Sequence, residues 1–180
     1  MAWTDSEIIN RFREDSTRDQ AFKALVAQYQ ERIYWHARRM AGNHEDANDI
    51  TQNVFIKIWK HLGVYREEGA LYSYIYRIVA NESLSLLEKR KKHLSSSIDD
   101  SPSLANQLTT HHGLDEEEIL LKLESAIHSL PPKQKQVFIM RYYDELKYED
   151  MAVLLQTSEG ALKASYHHAL KKIEKILKGD

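Results

Sequence analysis

The residues with the most distinctive chemistry lie within residues 46–59, where acidic and amide side chains share one side of a predicted helix. The opposite side is apolar, and its three- and four-residue spacing predicts a buried stripe formed by Ala47, Ile50, Val54, Ile58 and Leu62. The polar face consists of Asp46, Asp49, Gln52 and Asn53. Such a face suits the docking of a basic partner, whereas the simpler alternative is an ordinary solvated helix face.

A second group combines aromatic rings with cations. Four of the ten tyrosines, Tyr65, Tyr72, Tyr74 and Tyr76, fall within twelve residues, and Arg77 and Asn81 follow them. Tyr72 and Tyr76 are four residues apart and share one side of a helix. Because every base offers a face for stacking, this pattern favours binding of unpaired bases, at about 1–3 kcal/mol per base. The alternative is that some of these tyrosines pack in the core.

The third group is a predicted helix-turn-helix between Tyr148 and Lys172. Ser158 is a preferred amino cap for the second helix. One side of that helix is predicted to be buried, through Leu162, Tyr166, Ala169, Ile173 and Leu177. The other side exposes Glu159, Lys163, His167, Lys171 and Lys172. Cations beside a capped helix terminus suit the DNA major groove, although many small helical pairs share this pattern.

Enzymatic chemistry has little support in the sequence. The chain has no cysteine, which excludes disulfides, thiolate catalysis and thiolate metal sites. The adjacent histidine pairs at 111–112 and 167–168 have no acidic partner at ligand spacing. No phosphate-binding glycine loop or nucleophile elbow occurs either. We therefore predict no catalytic residue, metal, cofactor or small-molecule substrate.

Helical periodicity dominates the 180 residues, and only six glycines and three prolines interrupt it, so the predicted fold is all-α. Capping boxes at Thr4-x-x-Glu7 and Thr17-x-x-Gln20 predict two helix starts. The amino terminus does not resemble a signal peptide, and no apolar run approaches the ~20 residues of a membrane span. These features predict a cytoplasmic protein.

We predict two small helical domains joined by a flexible linker. Residues 1–92 form the first domain, and residues 93–115, which are rich in serine and lack periodicity, form the linker. Residues 116–180 form the helix-turn-helix domain, in which helical periodicity returns with Ile119, Leu120, Leu123 and Ile127. Net charge is −2, but residues 88–92 are basic and residues 99–118 hold six acids without Lys or Arg. The charge is therefore strongly patterned along the chain.

The order of residues in 46–59 resembles the core-binding helix in region 2 of extracytoplasmic-function sigma factors of bacterial RNA polymerase. Residues 130–143 followed by 158–172 resemble region 4 of the same family. The resemblance implies a sigma factor that binds polymerase core, at the β′ clamp helices, through Asp46, Asp49, Gln52 and Asn53. It also implies that the loop at 63–73 and the following helix capture a flipped base of the minus-ten element. A free monomer and an anti-sigma factor as inhibitor are further implications.

The resemblance and the residue types together predict two DNA surfaces. The minus-ten surface consists of Tyr65, Arg66, Tyr72, Tyr76, Arg77, Asn81, Lys89, Arg90, Lys91 and Lys92. The minus-thirty-five surface consists of Ser158, Glu159, Lys163, His167, Lys171 and Lys172. Tyr74 stands where the family commonly has tryptophan and is predicted to be structural.

The chain departs from the family pattern at the helix-turn-helix. Gln156 occupies a turn position that is usually glycine, and Ser165 and His168 replace common arginines. A helix-turn-helix regulator acting without polymerase, with residues 1–92 as a ligand or dimerisation domain, is the alternative function. The acidic face within 46–59, together with a second aromatic nucleic-acid surface, favours the sigma factor.

Overall fold

The computed structural model describes residues 3–66, 70–96 and 116–179, and all regular structure within these ranges is helical. The α-helices are α1 (Asp5–Arg13), α2 (Arg18–Ala41), α3 (His44–His61), α4 (Leu71–Ser96), α5 (Glu116–His128), α6 (Pro132–Tyr142), α7 (Tyr148–Leu155) and α8 (Glu159–Lys178). A short 3₁₀ turn, Leu62–Val64, follows α3. No helix in these ranges is both long and apolar enough to cross a membrane.

The caps of α1 and α2 differ in how well local sequence predicts them. Thr4 and Glu7 form the predicted capping box, with the Thr4 backbone N–H donating to Glu7 at 2.7 Å. The second predicted capping box is wrong, because the Thr17 side chain makes no cap hydrogen bond. Its hydroxyl donates instead to the carbonyl of Arg11 at 2.8 Å, which ties the start of α2 to the end of α1.

Helices α1 to α4 share one core, and α3 lies in it as predicted. Gly42 ends α2 in the left-handed conformation with φ of 86°, and the Asn43 side chain caps α3 by accepting from the Asp46 N–H at 2.8 Å. All five residues of the predicted α3 stripe are buried: Ala47, Ile50, Val54, Ile58 and Leu62. Burying this stripe orients the opposite, polar face of α3 outward.

Helix α4 extends to Ser96, beyond the predicted domain boundary at residue 92. Leu71, Ile75 and Val79 bury one side of it in the core of α1 to α4. The remainder of the predicted linker, from residue 97 to residue 115, lies outside the described residues. The assignment of 93–115 as a linker therefore stays a prediction.

Helices α5 to α8 form the carboxyl-terminal half, with Pro132 as the first residue of α6. Helix α5 packs through its second half, where Ala126 and Ile127 are buried in a cluster with Ala169 and Ile173 of α8. Ile119 and Leu120, which belong to the predicted helical period, are 43% and 61% exposed. They lie in the first turn of α5, ahead of the segment that reaches α8.

The two halves pack against each other along α4. Tyr76 and Ala80, each 1% exposed, form an apolar cluster with residues of α6, α7 and α8. The imidazole of His36 on α2 lies 2.6 Å from the carboxylate of Asp144, and both side chains are buried. We call this contact, between α2 and α4 on one side and α6 to α8 on the other, the seam.

Lys135 of α6 is a buried cation within the seam, only 5% exposed. Its Nζ lies 3.5 Å from the carbonyl oxygen of Met40 and 3.4 Å from Nδ1 of His128. Burial lowers the pKa of Lys135 to about 8, and the neighbouring charge of Arg90 contributes in the same direction. Burying a charge with so few partners costs stability.

The stability of the protein should rise as pH increases from about 8 to about 9, below the pH at which tyrosines of the unfolded chain begin to release protons. In this window the unfolded chain keeps a proton on Lys135 that the folded chain has released, so deprotonation favours folding. Lys135→Met should abolish the rise and leave the free energy of unfolding at pH 7 unchanged or larger by up to about 2 kcal/mol. Urea unfolding across this range is the measurement, with exposed Lys133→Met as control. If the free energy of unfolding changed with pH in the same way for Lys135→Met and the parent, Lys135 would not be a buried lysine that titrates in this range.

Candidate nucleic-acid and docking surfaces

The polar face of α3 is largely accessible. Asp49, Gln52 and Asn53 are exposed, while the apolar stripe on the opposite side of α3 packs into the core of α1 to α4. Ile56, one turn further on, is 49% exposed and continues the same face. Sequence reasoning missed Ile56, although its spacing from Asn53 places it there. The face therefore combines an acid, two amides and an apolar residue.

Asp46 differs from the other members of this face. It is partly buried, accepts from Nδ2 of Asn43 at 2.7 Å and forms an ion pair with Arg90 near the end of α4. Arg90 also donates to the carbonyl oxygen of Ala41 at 3.1 Å. These bonds join the start of α3 to α4. Asp46 and Arg90 are thus engaged with each other in this structure.

An aromatic cavity lies beside the 3₁₀ turn. The rings of Tyr65 and Tyr74 are 4.6 Å apart, and burial raises the pKa of Tyr74. Both line a cavity of about 450 Å³ together with Arg66, Arg77 and His61. Two aromatic rings beside two arginines offer stacking faces and positive charge to one base and its phosphate.

Tyr72 and Tyr76 are placed differently from the prediction. Their rings are 4.5 Å apart, as expected for one helix side, but Tyr76 is buried in the seam. The guanidinium of Arg32 lies 4.9 Å from the Tyr72 ring, and burial raises the pKa of Tyr72 to about 12. Burial likewise raises the pKa of Tyr76, with Asp144 as the next cause. Tyr74 also contacts the core, as predicted, but Tyr76 is the more deeply buried of the two.

Arg77 and Asn81 are exposed on the remaining side of α4. They line a cavity of about 420 Å³ whose other wall includes Gln156 and Ser165 of the helix-turn-helix. Arg77 also donates to the carbonyl oxygen of Val153 at 3.4 Å. Further along α4, Lys89, Lys91 and Lys92 are exposed.

The helix-turn-helix has the predicted local structure. Ser158 caps α8 by accepting from the Ala161 N–H at 3.2 Å. Glu159 and Lys163 form an ion pair of 3.2 Å, and the Lys163 ammonium lies 5.5 Å from the Tyr148 ring. The other predicted contacts, His167, Lys171 and Lys172, are exposed. The amino-terminal half of α8 thus presents one paired cation, and its later turns present solvated ones.

Comparisons with known proteins identify two domains in the chain. Residues 25–93 match the family model for sigma-70 region 2, and residues 120–173 match that for sigma-70 region 4. The chain is 27% identical to RNA polymerase sigma-H factor of Pseudomonas aeruginosa, covering 96% of this chain and 93% of that protein. It is 26% identical to the sigma factor SigW of Bacillus subtilis, covering 95% and 97%.

The fold is also similar to a solved structure. The sigma factor RpoE of Bartonella quintana, solved in complex with the anti-sigma factor NepR, superposes with a TM-score of 0.68. The superposition covers 88% of this chain and 98% of that chain, at 22% identity. This likeness supports the all-α arrangement of two small domains.

Gln156 ends α7 in the left-handed conformation, with φ of 50°. Glycine adopts this conformation without the clash that a Cβ atom introduces. Gln156→Gly should therefore raise the free energy of unfolding by about 0.5–1 kcal/mol. The same substitution at exposed Gln30, within α2, should lower it by about 0.5–1 kcal/mol. Urea unfolding of both variants tests the conformation, and a loss of stability in both would refute it.

Proposed function

The chain belongs to the extracytoplasmic-function group of the sigma-70 family, and we propose that it binds core RNA polymerase and directs promoter recognition and transcription initiation. One observation carries this proposal. The part of the chain that matches region 2 has an exposed acidic helix face and an aromatic cavity. The part that matches region 4 has a capped recognition helix, and both parts occur in the same chain. Each surface suits a different part of one initiation complex.

Core binding is proposed for the face of Asp49, Gln52, Asn53 and Ile56. An acid and two amides complement a basic helical surface, and the β′ clamp helices of polymerase are the proposed partner. The exposed isoleucine supplies an apolar contact at the carboxyl-terminal end of that face. Asp46 contributes indirectly, because its bonds to Asn43 and Arg90 hold the start of α3 in place.

Minus-ten recognition is proposed for the aromatic cavity and the outer side of α4. An unpaired base would stack on Tyr65 and Tyr74, while Arg66 and Arg77 neutralise its phosphates. Asn81 and the lysines at 89, 91 and 92 extend this surface along the bound DNA strand. Tyr72 and Tyr76 belong to the same surface in the resemblance, but Tyr76 is buried in the seam and Tyr72 is partly buried, so the proposed stacking surface is formed by Tyr65 and Tyr74.

Minus-thirty-five recognition is proposed for α8. Its capped amino-terminal half would enter the major groove, where Lys163 can reach base edges after leaving Glu159. Lys171 and Lys172 are two turns further along the helix, where they would contact phosphates. The protein contributes no catalytic group of its own in this role, and it acts in the cytoplasm with polymerase.

Control by an anti-sigma factor is proposed on the precedent of the similar RpoE, which was solved in complex with NepR. An inhibitor of this kind would have to cover the α3 face or the DNA surfaces. Pull-down with the full chain as bait, from cells that express it, should recover the polymerase large subunits in one condition and an inhibitor in another.

Asp49→Lys should weaken binding to core polymerase without unfolding α3, because it reverses an exposed charge in the proposed interface. A loss of about tenfold or more in affinity corresponds to about 1.4 kcal/mol. Fluorescence anisotropy of labelled protein titrated with core polymerase is the measurement. The control is Asp15→Lys, the same reversal at a 93% exposed side chain away from α3. Equal affinities for both variants would remove Asp49 from the interface.

Lys163→Ala should change which minus-thirty-five sequences the holoenzyme prefers, because base contacts specify sequence. Lys171→Ala, on the same helix, should weaken all promoters alike and reduce the salt slope by roughly one phosphate contact. Transcription from a library of minus-thirty-five variants compares the two proteins. An unchanged promoter ranking with Lys163→Ala would assign that lysine to phosphate binding.

A further inference from the structure

The cavity of about 420 Å³ beside Arg77 and Asn81 has the construction of a small-molecule site. Three walls surround it: the outer side of α4, one side of α6, and the turn that joins α7 to α8 together with the start of α8. Its volume lies within the range of cavities that bind small organic molecules. None of the described residues that line it is aromatic or acidic.

The apolar part of the lining is aliphatic. Leu154 and Leu155 of α7 and Leu162 of α8 form one wall, and Leu84 of α4 and Val137 of α6 adjoin it. Leu154 and Leu162 are only 3% and 2% exposed, so they lie deep in the cavity. Such a lining gains free energy by covering a hydrocarbon chain, and it has no ring against which an aromatic ligand could stack.

The polar part of the lining is cationic. Arg77 and Asn81 are one turn apart on α4, and Lys133 and Gln136 are one turn apart on α6, so each pair shares one side of its helix. Arg77 donates one hydrogen bond to the carbonyl oxygen of Val153, but a guanidinium has five donors. Two cations without a lining acid attract an anion, and a guanidinium can bind both oxygens of a carboxylate.

Gln136 supplies an independent sign that the cavity accepts a polar group. Its side chain is 2% exposed, and its Nε2 has no hydrogen-bond partner among the described residues. A buried amide donor without an acceptor lowers the stability of a protein, and such groups are rare in native structures. An acceptor oxygen of a ligand in the cavity would satisfy this donor.

We propose that this cavity binds an aliphatic carboxylate. The carboxylate lies between α4 and α6, where it accepts hydrogen bonds from Arg77, Lys133 and Gln136, and the hydrocarbon chain lies against the leucines of α7 and α8. The proposal goes beyond the proposed function, since the site needs neither polymerase nor DNA. Because its walls come from both halves of the chain, bound ligand stabilises their packing.

Sodium octanoate is the probe, titrated into the free, full-length protein and followed by the backbone amide signals in NMR spectra. Binding should saturate with a Kd of about 1 mM or lower, and the largest changes should map to the residues that line the cavity. Octylamine, which has the same chain and a cationic head, should bind at least about tenfold more weakly because Arg77 and Lys133 repel it. The melting temperature should rise with the concentration of octanoate.

Two variants change the site itself. Gln136→Leu removes the amide donor at similar size, so octanoate should bind about tenfold more weakly, while the ligand-free protein melts at the same temperature or higher. A glutamine with only a structural role would instead lower the melting temperature when replaced. Ala161→Leu fills part of the cavity and should also weaken binding about tenfold or more. The matched controls are exposed Gln30→Leu on α2 and exposed Ala164→Leu on α8, both away from the cavity.

Parent-like binding in the two controls and weaker binding in Gln136→Leu and Ala161→Leu would support the site. Circular dichroism checks that each variant is folded, and Gln136→Leu decides the matter if Ala161→Leu does not fold. Octanoate that fails to saturate, that binds no better than octylamine, or that shifts signals elsewhere in the protein would overturn the proposal. So would parent-like affinity in folded Gln136→Leu. The titration contains neither polymerase nor DNA, so its failure would leave the proposed function intact.

Discussion

The double burial of α4 is the constraint on which the rest of the structure depends. Leu71, Ile75 and Val79 bury one side of the helix in the core of α1 to α4, and Tyr76 and Ala80 bury the next side in the seam. A helix repeats every 3.6 residues, so two buried sides leave only a narrow third side exposed. The exposed side carries the charged and amide residues proposed for DNA. Where the carboxyl-terminal half sits therefore determines how wide the DNA surface is.

Local sequence predicted the features that depend on neighbouring residues. The apolar stripe of α3 and the Thr4 and Ser158 caps each need only a few consecutive residues. Features that depend on distant partners were missed. The burial of Tyr76 requires α6 and α7, and the engagement of Arg90 requires the carboxylate of Asp46. Periodicity identifies which side of a helix is apolar but does not show which element covers it.

The predictions that failed also concern features that depend on residues distant in sequence. Thr17 has the residue type and spacing of a capping box, but the carbonyl of Arg11 offers its hydroxyl a better partner across the turn. Ile119 and Leu120 have the spacing of a buried stripe, yet α5 reaches α8 only through its later turns. For Thr17 the competing contact came from α1, whereas Ile119 and Leu120 are exposed because α8 packs against later turns of α5. The site predictions have the same limit, because Tyr72 and Tyr76 share a helix side that a distant element covers.

The seam combines an apolar contact with a few directional polar contacts. A wholly apolar seam would hold the halves together through buried area alone and would tolerate sliding, because hydrophobic contacts are non-directional. The His36 and Asp144 pair adds direction, but much of its attraction offsets the cost of removing both groups from water. Lys135 lowers the stability of the seam further, since its charge is buried beside only weak partners. The polar pairs of the seam therefore define its geometry more than they add to its net free energy. The exposed face of α3 lies outside the seam, so a partner can bind that face without contacting these residues.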